Sequence, residues 1–153
     1  MKINFYALIL IILVSGCGFK VIDSRIDFNI ANIITTGDKK ISYDLKNKLF
    51  LNSNENNKKK LKITIDTNKR KSIYERNIKN EITKYTIKIV SNVEVIDITN
   101  NLSKKFTVTN NGIYNVGLRH SATRTNENQL IKLLTDELLE KILDNLTTKF
   151  NDS

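Results

Sequence analysis

Two kinds of residue in this 153-residue chain have the chemistry to do more than fold: a single thiol and a run of cations. Cys17 is the only cysteine, and it directly follows Val14-Ser15-Gly16 at the end of an apolar run that begins at Phe5. A thiol is the one side chain here nucleophilic enough to take up an alkyl group. The small side chains of Ser15 and Gly16 let the backbone on its N-terminal side enter a peptidase cleft. The cations are Lys69-Arg70-Lys71, with Arg76 and Lys79 beyond them. Arg forks grip phosphate in a bidentate way and Lys supplies point charge, so this stretch is the candidate phosphate contact. A solvated hairpin tip is the competing reading, because charge runs are commonly just solvated. His120 is the only histidine, and without a neighbouring nucleophile and acid it reads as a polar loop residue. Asp136, Glu137 and Glu140, near Lys132 and Lys141, read as a charged outer helix face. No phosphate loop, GxSxG or HExxH pattern is present. No catalytic residue, metal ligand or dissociable cofactor is therefore assigned, and the chain is read as non-enzymatic.

The surroundings of Cys17 follow the plan of a secretory signal: a charged start, an apolar stretch of about 7–15 residues and a small-residue cleavage site. Met1-Lys2-Ile3-Asn4 supplies the start and Phe5 to Val14 the stretch. Ser15 to Lys20 breaks that run well short of the roughly 17–25 apolar residues a membrane span needs. An ordinary signal peptide with an incidental cysteine remains the plainer alternative. With Cys17 at the cleavage point, the segment resembles a lipoprotein signal whose lipobox reads Val14-Ser15-Gly16-Cys17. That resemblance implies diacylglycerol on the Cys17 sulfur, cleavage before it, and an acyl chain on the new amine. Several chains together give stable anchoring, at about 0.8 kcal/mol per buried methylene. Gly18, where inner-membrane lipoproteins typically carry Asp, implies the periplasmic face of the outer membrane as the destination.

Residues 1–16 are thus expected to be removed, 17–25 to form a lipid-anchored tether and 26–150 a single domain of ordinary size. Lipidation consumes the only thiol, so no intramolecular disulfide is available and an apolar core must hold the fold. The signal carries one charge, Lys2, so the net charge falls from +9 to +8 on cleavage. Such an excess attracts polyanions. Export makes anionic lipid and lipopolysaccharide phosphates the nearest candidates, and nucleic acid is not expected as a partner. The abundance of Lys, Asn and Ile in every segment, with Pro and Trp absent, points equally to a genome-wide nucleotide skew.

The elements that must position these residues follow from periodicity. Ile26, Phe28 and Ile30 alternate in a first strand over 26–35. Thr36-Gly37 is turn-like, and Asp38 is placed to cap a helix whose Ile41, Leu45 and Leu49 share one stripe, with Phe50 beside it. Asn52 to Asn57 is a polar loop. Leu61, Ile63 and Ile65 alternate with polar residues in a half-buried strand, after Lys58-Lys59-Lys60, which reads as a gatekeeper or loop. Residues 67–81 are either a loop or the projecting end of a long hairpin. Tyr85, Ile87, Ile89, Val93 and Val95 share one parity in a strand over 84–97. A turn at 99–101 returns through Phe106 and Val108, with Asn110-Asn111-Gly112 as an expected bulge or turn. A loop over 117–125 then leads to a helix capped by Thr125 or Asn126. Its stripe runs Leu130, Leu133, Leu134, Leu138, Ile142 and Leu146, with Asp136, Glu140 and Asp144 facing away. The class is α+β, in the order β-α-β-β-β-α, with a small, mostly antiparallel or mixed four-stranded sheet carrying both helices on one face.

This order behind Cys17-Gly18-Phe19, together with Ser121-Ala122-Thr123-Arg124-Thr125-Asn126-Glu127 near the last helix, resembles the LptE family of lipopolysaccharide-assembly lipoproteins. Many relatives continue Cys-Gly-Phe with Arg-Pro-Leu-Tyr, where this chain has Lys20-Val21-Ile22-Asp23. The resemblance implies a protein that sits inside an LptD-type β-barrel, plugs it, assists its assembly and contacts lipopolysaccharide. The residues themselves leave open another accessory subunit of an envelope transport or assembly complex, a lipid-anchored enzyme, or a peptidoglycan-binding module.

Overall fold

The computed structural model describes residues 28–150. The signal segment 1–16, the lipobox with Cys17, the tether 17–25 and the start of the first expected strand at Ile26 lie outside them. Six elements follow in order: β1 (Asn29–Gly37), α1 (Lys39–Leu51), β2 (Lys60–Arg76), β3 (Ile82–Asp97), β4 (Leu102–Asn115) and α2 (His120–Phe150). They form one mixed sheet ordered β1-β2-β3-β4, so the fold is α+β with the expected succession of strands and helices.

β1 runs parallel to β2, pairing Ile33 with Ile63 and Gly37 with Thr67, with a bulge between Ile30 and Asn32. Parallel neighbours need a crossover, and α1 supplies it. The exit from β1 is tight. Gly37 adopts φ 88°, and a Cβ there would stand 2.0 Å from the Thr67 carbonyl oxygen. Only glycine fits that approach. Asp38 then caps α1, its carboxylate accepting from the Ile41 N–H at 3.1 Å. Ile41, Leu45 and Leu49 are buried as the stripe requires, while Phe50 lies at the rim.

The β2–β3 ladder is antiparallel and continues to Arg76↔Ile82, which makes residues 67–81 a projecting hairpin rather than a loop. β1 ends at Thr67. The nine residues Asn68 to Arg76 therefore extend about 30 Å past β1, at the usual strand rise. Odd-numbered residues of β2 and β3 face the helices: Leu61, Ile63, Ile65, Ile87, Ile89, Val93 and Val95 are buried, with the Thr67 and Ser91 hydroxyls paired at 2.9 Å among them.

Three expectations are corrected by packing. Asn110-Asn111-Gly112 is neither bulge nor turn, since β4 pairs with β3 without a register shift from Leu102 to Asn115. The glycine is there because α2 comes close: a Cβ on Gly112 would lie 2.7 Å from Leu130 Cδ1. The last helix begins at His120, so residues 120–125 are helical and neither Thr125 nor Asn126 is its cap. The Thr123 hydroxyl accepts from the Gly117 N–H at 2.9 Å and so closes the entry. The first ten residues of α2 carry no apolar stripe because they lie along the projecting hairpin instead of the core, and periodicity found only the rest. Finally, Asp136 does not face away, for it meets Lys48 of α1 at 2.5 Å. Leu133 is half-exposed, and Ile131, Leu139, Leu143 and Phe150 complete the buried face.

Candidate functional site

Both helices cover one face of the sheet. Among the described residues, nothing covers the other. Strand alternation puts the even-numbered residues of β2 and β3 and the odd-numbered residues of β4 there in cross-strand rows: Thr64, Glu94 and Lys105; Asp66, Asn92 and Thr107; Arg70, Lys88 and Asn111. The first two rows line a shallow concavity of about 420 Å³. Its polar groups are already organised: Lys105 meets Glu94 at 3.0 Å, the Thr107 hydroxyl donates to Asn92 at 2.8 Å, and the Thr36 hydroxyl donates to Asp66 at 2.9 Å. This is a shallow, pre-oriented hydrogen-bonding surface, suited to docking against another polar surface.

The basic residues Lys69, Arg70, Lys71 and Arg76, singled out in the sequence with Lys79, do not converge. Lys69 and Lys71 point to the helix side and Arg70 to the open side, because neighbours on a strand alternate. Lys69 lies 3.0 Å from Asp38, and burial, which raises that carboxyl, is outweighed by the Ile41 N–H and the Lys69 ammonium, leaving it below its ordinary range. Lys71 lies 2.6 Å from Glu127 and 4.3 Å from the centroid of the Tyr85 ring, which stacks on Tyr114 at 5.6 Å. The Tyr114 hydroxyl donates to the same Glu127 oxygen at 2.8 Å. Burial raises the Glu127 carboxyl, and the bonds from Lys71 and Tyr114 lower it further than that, to a net value below the ordinary range. Arg76 folds back onto the Asn80 carbonyl at 2.8 Å. Arg70 is different. It stands directly across from Lys88, without a carboxylate partner among the described residues, over a hollow of about 370 Å³ shared with Asn68 and Val90. Like charges facing each other in a ladder are unfavourable unless an anion lies between them.

Lys88 was not legible as a partner of Arg70 without the register, although its parity with Asn92 and Glu94 was the available signal. A groove of about 630 Å³ also separates α1 from α2, walled by Ile41, Tyr43, Ile131 and Thr135. Lys48 closes its end by bridging Asp44 at 2.8 Å and Asp136 at 2.5 Å. His120 opens α2 on the exposed side. Among the described residues no group of three His, Cys, Asp or Glu side chains is placed to hold a metal ion, and no helix is long and apolar enough to cross a membrane. Lys59, just before β2, and Lys104 of β4 donate to the Phe150 and Lys149 carbonyls at the end of α2, a structural use of one lysine of the Lys58-Lys59-Lys60 run.

No protein-family model matches the chain, and no curated protein matches its sequence. Solved structures match its fold. Lipoprotein B from Nitrosomonas europaea aligns with a TM-score of 0.58 at 13% identity, over 89% of this chain and 93% of that one. Rare lipoprotein B from Shewanella oneidensis aligns at 0.51 and 9% identity, over 79% of this chain and 94% of that one. A minor lipoprotein from Acinetobacter baumannii gives 0.51 and 13%, over 77% and 93%. At such identities the likeness is one of fold.

Proposed function

We propose that this chain is an outer-membrane lipoprotein, anchored through diacylglycerol and an N-acyl chain on Cys17, that faces the periplasm. There it acts in lipopolysaccharide assembly as the plug and assembly partner of an LptD-type β-barrel. The observation that carries this reading is the uncovered polar sheet face, on a fold shared with proteins that are themselves lipoproteins. A domain with one apolar core and one shallow hydrogen-bonding face suits the polar lumen of a large outer-membrane barrel. Docking such a face exchanges water for lumen side chains at little desolvation cost, provided the polar groups find partners. The lipobox supplies the anchor, and the domain is read as doing no chemistry of its own.

Lipopolysaccharide contact is assigned to the open side. Of Lys69, Arg70, Lys71 and Arg76, Arg70 keeps its guanidinium available, and Lys88 across the ladder doubles its charge. Lys69 and Lys71 are each held by a carboxylate, so a phosphate would have to displace those partners. Replacing Arg70 and Lys88 with Ser should weaken lipopolysaccharide binding and flatten its salt dependence. Replacing Lys69 alone should do neither.

The direct test is mild-detergent extraction of tagged, lipidated protein from its own outer membrane. An LptD-type barrel should co-purify in near-equal amount. Recovery of the lipoprotein alone at good expression, or with a different complex, contradicts the reading.

A further inference from the structure

We propose that the projecting end of the β2–β3 hairpin, together with the loop leading into α2, is a membrane-insertion tip for an anionic phospholipid surface. This contact is separate from the anchor at Cys17 and independent of the barrel reading. Five large apolar side chains gather at this end of the molecule without covering a core: Ile73, Tyr74, Ile78, Val116 and Leu118. Ile78 and Leu118 are as open as in an extended peptide, at 102% and 107% exposure. A turn is ordinarily the place for small polar residues, so a bare Ile at its apex calls for a partner.

The presentation of both apolar tips is fixed. The Asn77 side chain accepts from the Lys79 and Glu81 N–H groups, each at 2.9 Å, and the Asn77 N–H donates to the Glu81 carbonyl at 2.9 Å. Ile78 is therefore held outward at the apex. The Val116 N–H donates to the Thr83 carbonyl at 2.8 Å, which ties the second loop, and with it Leu118, to the hairpin.

Charge selects the occupant. Arg76, Lys79, Arg119 and Arg124 surround these apolar residues, and none of them has a carboxylate partner among the described residues. Of the two acids nearby, Glu75 is neutralised by Lys84 at 2.6 Å and also accepts from Thr83 at 2.8 Å. Glu81 accepts from the neutral Asn77 amide at 2.8 Å and keeps its charge, so four cations face one remaining carboxylate and the tip stays net positive. Apolar points ringed by an excess of cations match an anionic leaflet, where the points enter the acyl boundary and the cations meet head-group phosphates. The tip stands about 30 Å beyond the end of β1, and α1, which ends at Leu51, does not reach it; the N-terminal end of α2 lies beside it and presents Arg124.

The chain contains no Trp, so single Trp probes report cleanly. The full mature chain carrying Ile78→Trp, Leu118→Trp or, on the open sheet face, Thr107→Trp is reconstituted into vesicles of phosphatidylcholine with or without phosphatidylglycerol. On anionic vesicles, emission from positions 78 and 118 should shift to the blue and be lost to brominated phosphatidylglycerol, while position 107 stays water-like. Removing Arg119 and Arg124 should weaken this insertion by roughly fivefold per cation. Water-like emission at both 78 and 118 on anionic vesicles overturns the proposal. So does equal quenching at 107, which would mean that the molecule merely lies on the surface.

Discussion

Lys71 Nζ in β2 lies 2.6 Å from Glu127 Oε2 in α2, 56 residues away in sequence, with the Tyr114 hydroxyl on the same oxygen. This junction fastens the polar first third of α2 to a hairpin that has left the core behind. Glu127→Gln should cost no more than about 1 kcal/mol globally, as expected for a partly exposed pair. Amide exchange should nevertheless quicken in 68–73 and 120–127 ahead of the core strands. The pH dependence has a defined sign. The folded Glu127 carboxyl sits below its ordinary value, so its contribution is present above about pH 4.3, the unfolded value, and is lost as pH falls through the folded one. Glu127→Gln should shrink that acid-dependent loss, measured by denaturant midpoints across pH 2 to 6.

The glycines separate backbone from side-chain constraint. Gly37→Ala places a methyl against the Thr67 carbonyl at a φ of 88°, and should destabilise by at least about 2 kcal/mol. Gly112→Ala meets only the movable Leu130 and Leu134 side chains, the nearer at 2.7 Å, and should cost about 1 kcal/mol, at the low end of overpacking. Chemical denaturation of both variants checks the order.

Asp38→Ala removes the cap of α1 and the partner of Lys69 at once. A loss of about 1 kcal/mol is expected from the cap. Asn at the same position should restore most of it, because an amide oxygen still accepts from the Ile41 N–H. Thermal melts of the two variants separate capping from the ion pair.

Much of this architecture was legible because the core writes itself as parity and stripe. Leu61, Ile63 and Ile65, the odd-numbered residues of β3, and the Ile41–Leu45–Leu49 stripe all point where periodicity sends them, and Asp38 caps as its side chain permits. What escaped was set by contacts between distant segments. The first ten residues of α2 have no stripe because their neighbour is a polar hairpin. Gly112 reads as a break in sequence, whereas it records the approach of Leu130. The run Lys69-Arg70-Lys71 looks like one patch along the chain, yet alternation splits it between two faces, and only the register reveals Lys88 beside Arg70.

Cys17→Ala should leave an unlipidated and uncleaved precursor, visible as a heavier species by mass spectrometry and depleted from the outer membrane. Normal maturation of this variant would remove the anchor from the account.

The central claim, that the open sheet face seats against an LptD-type barrel, is tested most directly by photocrosslinking in cells from Thr107. The account predicts an adduct containing that barrel, formed from the lipidated protein. Well-expressed, lipidated protein that yields no barrel adduct from this position would contradict it.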